Sequence, residues 1–379
     1  MAGPALKALA AALALTAASA FAAPPKPDEA IRVAVFNMAL SRDAPGELIQ
    51  ELRLGGSPQI DALAEIVQRV RPDILLALEV DRDMKGEAAR LLAETLRFGR
   101  GGADGVAYPH RFAAPSNTGA LAKVDLDGDG AISRPGDAHG YGRHEGQYGM
   151  ALLSRWPIEG ARTFQTLRWR DMPAAAIPPG FFSEEAEAAL RLSSKSHWDV
   201  TVETPQGPLR VLASHPTPPV FDGPEDLNGR RNADEIRFWS DYLSGAAWMV
   251  DDAGASGPGG VQPFVLLGDL NADPADGDGR REAIQALLAH PALRDPKPAS
   301  DGGRAAADPD HAGDPALDTA AFRGPGALRV DYALPSAELE VLGAGVFWPP
   351  PGDPLRRLVG EDGAASSDHR LVWVDLRLP

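Results

Sequence analysis

The sequence predicts two β-sheets packed face to face, with helices on the outside. Short apolar runs typical of buried strands recur along the chain, some of them joined by helices and others paired as hairpins. A single doubly wound sheet would explain the helix-linked strands but not the hairpins. Two packed sheets therefore fit the pattern better.

The first third of the chain alternates strand, helix and strand. Residues 31–36 form an apolar run that ends at Asn37, and residues 74–78 form a second run that ends at Glu79. Between them, Pro58 opens a helix whose apolar residues follow the 3.6-residue period as far as Val70. This order predicts a parallel or mixed sheet with polar residues at the carboxyl ends of its strands.

The rest of the chain adds strands of both kinds. Alternation over residues 198–202, a Pro-Gln-Gly turn and an apolar run at 209–213 predict an antiparallel hairpin. The remaining predicted elements are strands at 150–153, 264–267, 329–334 and 371–378 and helices at 184–192 and 226–244.

The domain organisation follows from composition. Residues 1–23 are predicted to be a signal peptide, with Lys7, a short apolar run and small residues spaced as at an export cleavage site. Residues 24–30 form a linker, and 31–379 form one domain with long loops at about 99–149, 171–194 and 292–326. We therefore expect a periplasmic or secreted protein without membrane insertion, since no other run approaches ~20 apolar residues.

Charge and cysteine content narrow the chemistry. The chain has 379 residues, a formal net charge of −16 and no cysteine, so a thiol nucleophile and a thiolate zinc site are excluded. An acidic protein gains little from counterion release on long duplex DNA. Carboxylate-rich composition suits divalent cations bound through oxygen. Nothing in the charge distribution or the motifs of the sequence implies a protein partner.

Polar residues that follow buried strands are the candidate site residues. Asp269 and Asn271 follow one strand and, two residues apart, point to the same side of an extended chain. His215 leaves another strand into a Pro-rich turn, and Asp368 and His369 precede the last strand. Each motif alone also fits an ordinary turn. The recurrence, which extends to Asn37, Glu79 and Asp331, favours a site.

These motifs together resemble the endonuclease/exonuclease/phosphatase superfamily, which has the fold of deoxyribonuclease I. The resemblance extends from residue 31 to 379 and rests on the order of seven motifs: Asn37, Glu79, Gly149-Met150-Ala151-Leu152-Leu153-Ser154-Arg155, Ser214-His215, Gly268-Asp269-Leu270-Asn271, Asp331-Tyr332 and Ser367-Asp368-His369. It implies an α+β fold, a four-layer α/β/β/α sandwich in which two packed mixed β-sheets are flanked by helices.

The resemblance also implies roles for these residues. Glu79 would be the main metal ligand, with Asn37 and Asp368 beside it, and the ion would be Mg²⁺ or Mn²⁺. Asp269 would orient or deprotonate the attacking water, while Asn271 and His215 would contact the scissile phosphate. His369 would stabilise the charge that builds on the phosphate, its ring held by Asp331.

One departure and two further motifs refine the expectation. Gln147 stands where the abasic-site branch has Tyr, so His215 aligns the chain better with the deoxyribonuclease, sphingomyelinase and phosphatase branches. Arg230 and Arg231 would clamp a second phosphate, or else begin a solvated helix.

Residues 125–133 resemble the start of a calcium loop. Asp125, Asp127 and Asp129 occupy the acidic positions, but Gly136 replaces the usual final Glu, so Asp137 is the expected last ligand of a Ca²⁺ site that would order the 100–149 loop.

The sequence therefore predicts a divalent-metal-dependent hydrolase of phosphate esters, a phosphodiesterase or nuclease, that acts outside the cytoplasm on a small phosphorylated molecule or a short nucleic acid. One alternative is a phosphomonoesterase acting on a small phosphorylated metabolite. A second alternative, of another class, is a non-catalytic calcium-dependent binding protein on the same scaffold.

Overall fold

The computed structural model describes residues 24–260, 262–361 and 364–379. The predicted signal peptide, residues 1–23, lies outside the described residues. The predicted linker at 24–30 lies against the domain, where Lys26 forms an ion pair with Asp73 and the Arg32 guanidinium donates to the carbonyl of Pro24.

The described strands, in chain order, are β1 (Ile31–Leu40), β2 (Ile74–Val80), β3 (His110–Phe112), β4 (Met150–Ser154), β5 (Ile158–Thr163), β6 (Trp198–Thr204), β7 (Gly207–Ser214), β8 (Phe264–Asp269), β9 (Ala320–Phe322), β10 (Gly326–Leu328), β11 (Asp331–Pro335), β12 (Glu340–Val346) and β13 (Val372–Arg377). One mixed sheet has the order β12-β13-β1-β2-β4-β3, and a second has the order β11-β8-β7-β6-β5. In each sheet one central pair is parallel, β1 with β2 and β7 with β8.

The described helices are α1 (Glu47–Leu54), α2 (Pro58–Val70), α3 (Glu87–Arg97), α4 (Glu184–Ala189), α5 (Leu227–Leu243), α6 (Arg281–Leu288) and α7 (Asp301–Ala306). In β7, Val211 and Ala213 face the first sheet, in a core that also contains α1, α2 and α3. Leu212 points the opposite way, into a second core with α5 and α6. The layers are thus helix, sheet, sheet and helix, which confirms the predicted four-layer sandwich.

Several predicted elements differ in their bounds. β1 continues through Asn37 to Leu40, so Asn37 lies within a strand and pairs with Leu78 rather than following the strand. The predicted helix at 184–192 ends at Ala189, because Leu190 turns extended and its carbonyl accepts from the amide of Trp169. The predicted 292–326 loop contains α7 and β9 and leads into β10, the partner of β9 in a short hairpin, none of which the sequence predicted.

None of the helices within the described ranges combines the length and apolar character that crossing a bilayer would require.

Candidate active site

The second sheet contributes three of the predicted residues through its strand register. Asp269 ends β8 and lies directly opposite Asp331, the first residue of the antiparallel neighbour β11. On the other side of β8, the parallel strand β7 places Ser214 beside Gly268, so His215 follows at the same end of the sheet. The side chains of Asp269, Asp331 and His215 are all buried.

The first sheet contributes Asn37 and His369 to the same place. The Asn37 amide donates to Asp269 Oδ2 at 3.0 Å, across the interface between the sheets. His369 precedes β13 and forms an isolated bridge with Ala320, which lies at the start of β9. The site is therefore assembled from both sheets where they pack together.

Asp269 is the centre of this cluster. Its Oδ2 lies 3.4 Å from His215 Nε2 and 3.6 Å from His369 Nε2, and its Oδ1 accepts the backbone amide of Asn271 at 3.0 Å. Burial raises the pKa of Asp269 to about 6, although the charge of His369 opposes that rise. At neutral pH this carboxylate is ionised but close to the pKa at which it accepts a proton, which suits a general base.

His369 is held as a cation. Its Nδ1 lies 2.9 Å from Asp331 Oδ2, which also accepts the hydroxyl of Thr319 at 2.8 Å. Burial by itself would lower the pKa of His369, but the charges of Asp331 and Asp269 outweigh it and raise that pKa to about 10. The imidazolium can therefore donate through Nε2 to an oxygen that gains negative charge.

His215 has the opposite protonation state. Burial, together with the positive charges of Lys195 and His369, lowers its pKa well below the ordinary value. Its Nδ1 is buried without a hydrogen-bond partner. The cluster thus combines one neutral and one charged imidazole at the same carboxylate, an arrangement in which each ring has a different task.

The predicted metal ligands lie beside this cluster. Glu79 lines the adjoining cleft and forms a hydrogen bond with the side chain of Asn37. Burial raises the pKa of the Glu79 carboxyl group, although His369, Asn37 and Lys195 each act to lower it. Asp368 is half-buried, and its charge contributes to the raised pKa of His369. Ligand-capable atoms of Asp269, Asp331 and His369 lie within 4.8 Å of one another.

The donor set fits a hard divalent cation. Carboxylate and amide oxygens of Glu79, Asn37 and Asp368 are the ligand types that Mg²⁺ prefers. Asp331 Oδ1 is buried without a hydrogen-bond partner, which leaves one more carboxylate oxygen unused in the cluster.

Backbone strain is concentrated around these residues. Glu79 has φ +55°, Asn271 has φ +51° and Tyr148, on the wall of the cleft, has φ +54°. Non-glycine residues adopt this left-handed region at a cost that the surrounding structure must offset, and such residues are frequent at functional sites.

Lys195 is a cleft residue that no sequence pattern indicated. Its side chain is buried, and with Glu79 and His215 it lines a cleft of about 650 Å³. Burial lowers its pKa, while Glu235, Glu79 and Asp269 oppose that effect. Its position in a polar Ser-Ser-Lys-Ser stretch before β6 gave no periodic signal, because its burial is produced by packing from distant segments.

Helix α5 holds the loops that carry the cleft residues. Glu235 accepts from the amides of Ser194 and Thr217, and the Asn232 amide donates to the carbonyls of Thr217 and Leu270. These bonds fix the segments next to Lys195, His215 and Asn271, so the buried polar face of the helix serves the site from behind.

The two predicted phosphate-clamping arginines are committed to the backbone. Arg231 donates through Nε and Nη2 to the carbonyls of Leu192, His139 and Arg191, although it also reaches the cleft wall. Arg230 donates through Nε to the carbonyl of Glu225. Neither contact involves the carboxylate and histidine cluster, and Arg231 has the character of a structural residue.

The predicted calcium loop brings three acids together. Ligand-capable oxygens of Asp125, Asp127 and Asp137 lie within 4.8 Å of one another, with Asp137 buried and Asp127 exposed. Asp129 instead accepts the amide of Ala131 at 2.8 Å, outside this group. Asp137 thus lies beside Asp125 and Asp127, and its role as last ligand stays a prediction.

Comparisons with known proteins identify the family and support the fold. The family model described as "Endonuclease/Exonuclease/phosphatase family" matches residues 35–369. Among solved structures, an endonuclease/exonuclease/phosphatase from Beutenbergia cavernae DSM 12333 superimposes with a TM-score of 0.52 at 21% identity, covering 92% of this chain and 72% of that one.

Two further solved structures are similar at lower scores. For the human Nocturnin catalytic domain with bound sulfate, the TM-score is 0.47 at 16% identity, with 93% of this chain and 96% of that chain covered. For sphingomyelinase C from Streptomyces griseocarneus, the TM-score is 0.44 at 14% identity, with 91% and 99% covered. A search of curated proteins gives no significant match.

Proposed function

Since the chain belongs to the endonuclease/exonuclease/phosphatase family, a family of metal-dependent phosphoesterases, we propose that it hydrolyses phosphodiester bonds with the help of Mg²⁺ or Mn²⁺. One observation carries the proposal. Asp269, with a pKa of about 6, lies between a neutral His215 and a cationic His369 at the interface between the two sheets. A base and two phosphate-facing donors are the groups that hydrolysis of a phosphate ester requires.

Each residue has a role in this mechanism. Glu79, Asn37 and Asp368 would hold the cation, which when bound polarises the phosphate and offsets its negative charge. Asp269 orients a water molecule and takes its proton. His215, through Nε2–H, and the Asn271 amide contact non-bridging phosphate oxygens, and the His369 imidazolium donates to the oxygen on which charge builds.

The cleft supports a compact substrate. Its volume of about 650 Å³ is of the size that encloses a small organic phosphate or the end of a short nucleic acid. Lys195 lies in its interior, while Tyr141 and Phe221 are exposed on its walls. Aromatic side chains there can stack on a base or another planar leaving group. The net charge of −16 makes long duplex DNA a poorer substrate.

A substrate panel tests the proposal. Purified protein with Mg²⁺ or Mn²⁺ should cleave bis-aryl phosphate faster than aryl phosphate, with plasmid DNA and sphingomyelin as further substrates. Asp269→Asn and His369→Ala should each abolish cleavage in protein that circular dichroism shows to be folded. Faster cleavage of the aryl monoester would favour a phosphomonoesterase, in which buried Lys195 helps to hold a dianion. Activity that survives both substitutions would refute the assigned chemistry.

We also propose that Asp125, Asp127 and Asp137 bind Ca²⁺ and order the surrounding loop. Asp137, one residue beyond the position of the usual final Glu, is buried and meets the other two acids, which supports this site. Calorimetric titration should show Ca²⁺ binding that is lost in Asp127→Ala but retained in the Glu79→Gln control. A protein that binds Ca²⁺ but cleaves no phosphate ester would favour a non-catalytic binding function.

Action outside the cytoplasm is supported by the signal-like pattern of residues 1–23. Residues 1–30 placed before a reporter enzyme should direct it across the inner membrane of a bacterial host. A reporter that stays in the cytoplasm would contradict export.

A further inference from the structure

A second group of acids, buried or half-buried, surrounds a histidine away from the residues assigned to catalysis. It joins the loop after β8, which contains Asp276, to the segment before β9, which contains His311 and Asp318. His311 Nε2 lies 3.5 Å from Asp276 Oδ2 and 3.6 Å from Asp318 Oδ2. The side chains of His311 and Asp318 are only 6% and 2% exposed.

Two of these ligand-type atoms face each other without a hydrogen-bond partner. His311 Nε2 and Asp318 Oδ2 are both buried and unpartnered. A buried polar atom left in this state costs about 1–3 kcal/mol, and a charged one costs more. Further acids surround the pair, so burial and the charges of Asp273 and Asp276 raise the pKa of Asp318 to about 8. The group lacks a positive charge at its centre.

The backbone leaves space for a cation between these side chains. Asp276 accepts the amides of Ala312 and Gly313, which wraps the histidine segment around this carboxylate. A side chain at Gly313 would place its Cβ 2.9 Å from Asp276 Oδ2 and 3.6 Å from His311 Nε2. The glycine therefore keeps the region beside both ligand-type atoms open.

We propose that Asp276, His311 and Asp318 bind a divalent cation of the Zn²⁺ class at a site distinct from the catalytic one. One imidazole and two carboxylates form a mixed nitrogen and oxygen donor set, which suits Zn²⁺ better than Mg²⁺ or Ca²⁺. In a tetrahedral site with bonds of ~2.1 Å, neighbouring ligand atoms lie about 3.4 Å apart. The two distances from His311 Nε2 match this spacing.

Binding would tighten the group further. The three ligand atoms are not all within 4.8 Å of one another, as they are in the Asp269 cluster, so an ion would draw Asp276 and Asp318 together. Its role is to fasten the segment before β9. Asp318 precedes Thr319, whose hydroxyl donates to Asp331, and the next residue bridges to His369. The ion thus supports the residues that hold the catalytic imidazolium.

Zinc stoichiometry tests the proposal directly. Metal-free protein should bind one more equivalent of Zn²⁺ than the His311→Ala and Asp318→Asn variants. The matched control His110→Ala, on the edge strand β3, should bind as much as the unchanged protein. Glu79→Gln should keep the extra equivalent even if Zn²⁺ at the catalytic site is lost, so failure of the catalytic assignment and failure of this site are distinguishable.

A second measurement needs no variant. Limited proteolysis within residues 307–314 should be slowed by Zn²⁺ at least several-fold and should not be slowed by Mg²⁺ at the same concentration. Equal Zn²⁺ stoichiometry in all variants, or proteolysis that Zn²⁺ leaves unchanged, would overturn the proposal.

Discussion

Replacing Asp331 with Asn should move the pH range in which the enzyme works. Asp331 Oδ2 lies 2.9 Å from His369 Nδ1. At this separation and an effective dielectric constant of ~20, the attraction of the two charges is about 6 kcal/mol, equivalent to ~4 pKa units. Its loss would lower the pKa of His369 from about 10 to roughly 6.

The loss of activity should then depend on pH. At pH 7.5 the protonated fraction of His369 would fall from nearly all to about 3%, and kcat/KM would fall ~30-fold from this cause alone. At pH 6.5 about a quarter of the rings would be protonated, so the deficit would shrink to roughly 4-fold. Loss of ring orientation would add a further factor that is the same at both pH values.

The assay is a pH profile of kcat/KM for bis-aryl phosphate at saturating Mg²⁺. The alkaline limb should move from near pH 10 to near pH 6 in Asp331→Asn. Asp61, on α2, is half-exposed and forms an ion pair with Arg100. The control substitution Asp61→Asn should leave the profile unchanged. A deficit of equal size at every pH, with the alkaline limb unmoved, would refute the view that Asp331 acts by holding His369 charged.

Three other results are expected. Lys195→Met should lower kcat/KM by about 10- to 100-fold because a charged contact in the cleft is lost. The control Lys297→Met, on an exposed loop, should leave kcat/KM unchanged. Equal values of kcat/KM for the two variants would contradict a contact between Lys195 and the substrate. Chelation by EDTA should abolish hydrolysis, and Mg²⁺ or Mn²⁺ should restore it; turnover that persists after exhaustive chelation would count against metal dependence. In metal-free protein, the raised pKa of Asp318 means that the native state binds the proton more tightly than the unfolded state, so stability should fall between about pH 4 and pH 8. In Asp318→Asn the unfolding midpoint, measured by calorimetry, should fall less over this pH range, by about 2–4 °C for each kcal/mol of pH-dependent destabilisation that is removed. An unchanged dependence of the midpoint on pH would show that the pKa of Asp318 is not raised.

The sequence predicted the two sheets, and it singled out the polar residues that the structure gathers around Asp269, because both depend on local patterns. Polar residues stand next to strand ends in the chain, as at Asp269 and His215. The order of the motifs along the sequence therefore predicts which side chains meet at one end of the sheets. The end of the first strand was predicted too early, at Asn37, because β1 continues to Leu40 through an irregularity where Ala39 has φ +47°.

The elements that were missed lack local signals. Helices α1 and α3 each begin at a glycine in the left-handed region, so the N-cap residue itself offers no side chain to the first turn. The usual N-cap residues are therefore absent from the sequence at these positions. Hairpin β9–β10 has strands of three residues, too short for a period to be recognised.

The site residues that were missed depend on long-range burial. Lys195 and Thr319 belong to polar segments that look solvated in the sequence, and they become part of the site only when other segments cover them. The phosphate-binding role of Arg231 stays a prediction: its charge is visible in the sequence, whereas two of the carbonyl groups to which it donates lie 39 and 92 residues away.

The hydrogen bond between Asn37 and Asp269 joins residues 232 positions apart and belongs to neither sheet alone. An isolated first sheet would have Asn37 and His369 without a base, and an isolated second sheet would have the base without its cationic partner. Catalytic activity is therefore a reporter of the last long-range contacts to form. During refolding, circular dichroism should recover before turnover does, because closure of such distant contacts is slow. A folding intermediate with both sheets formed but not yet docked would look native by its secondary structure and hydrolyse nothing.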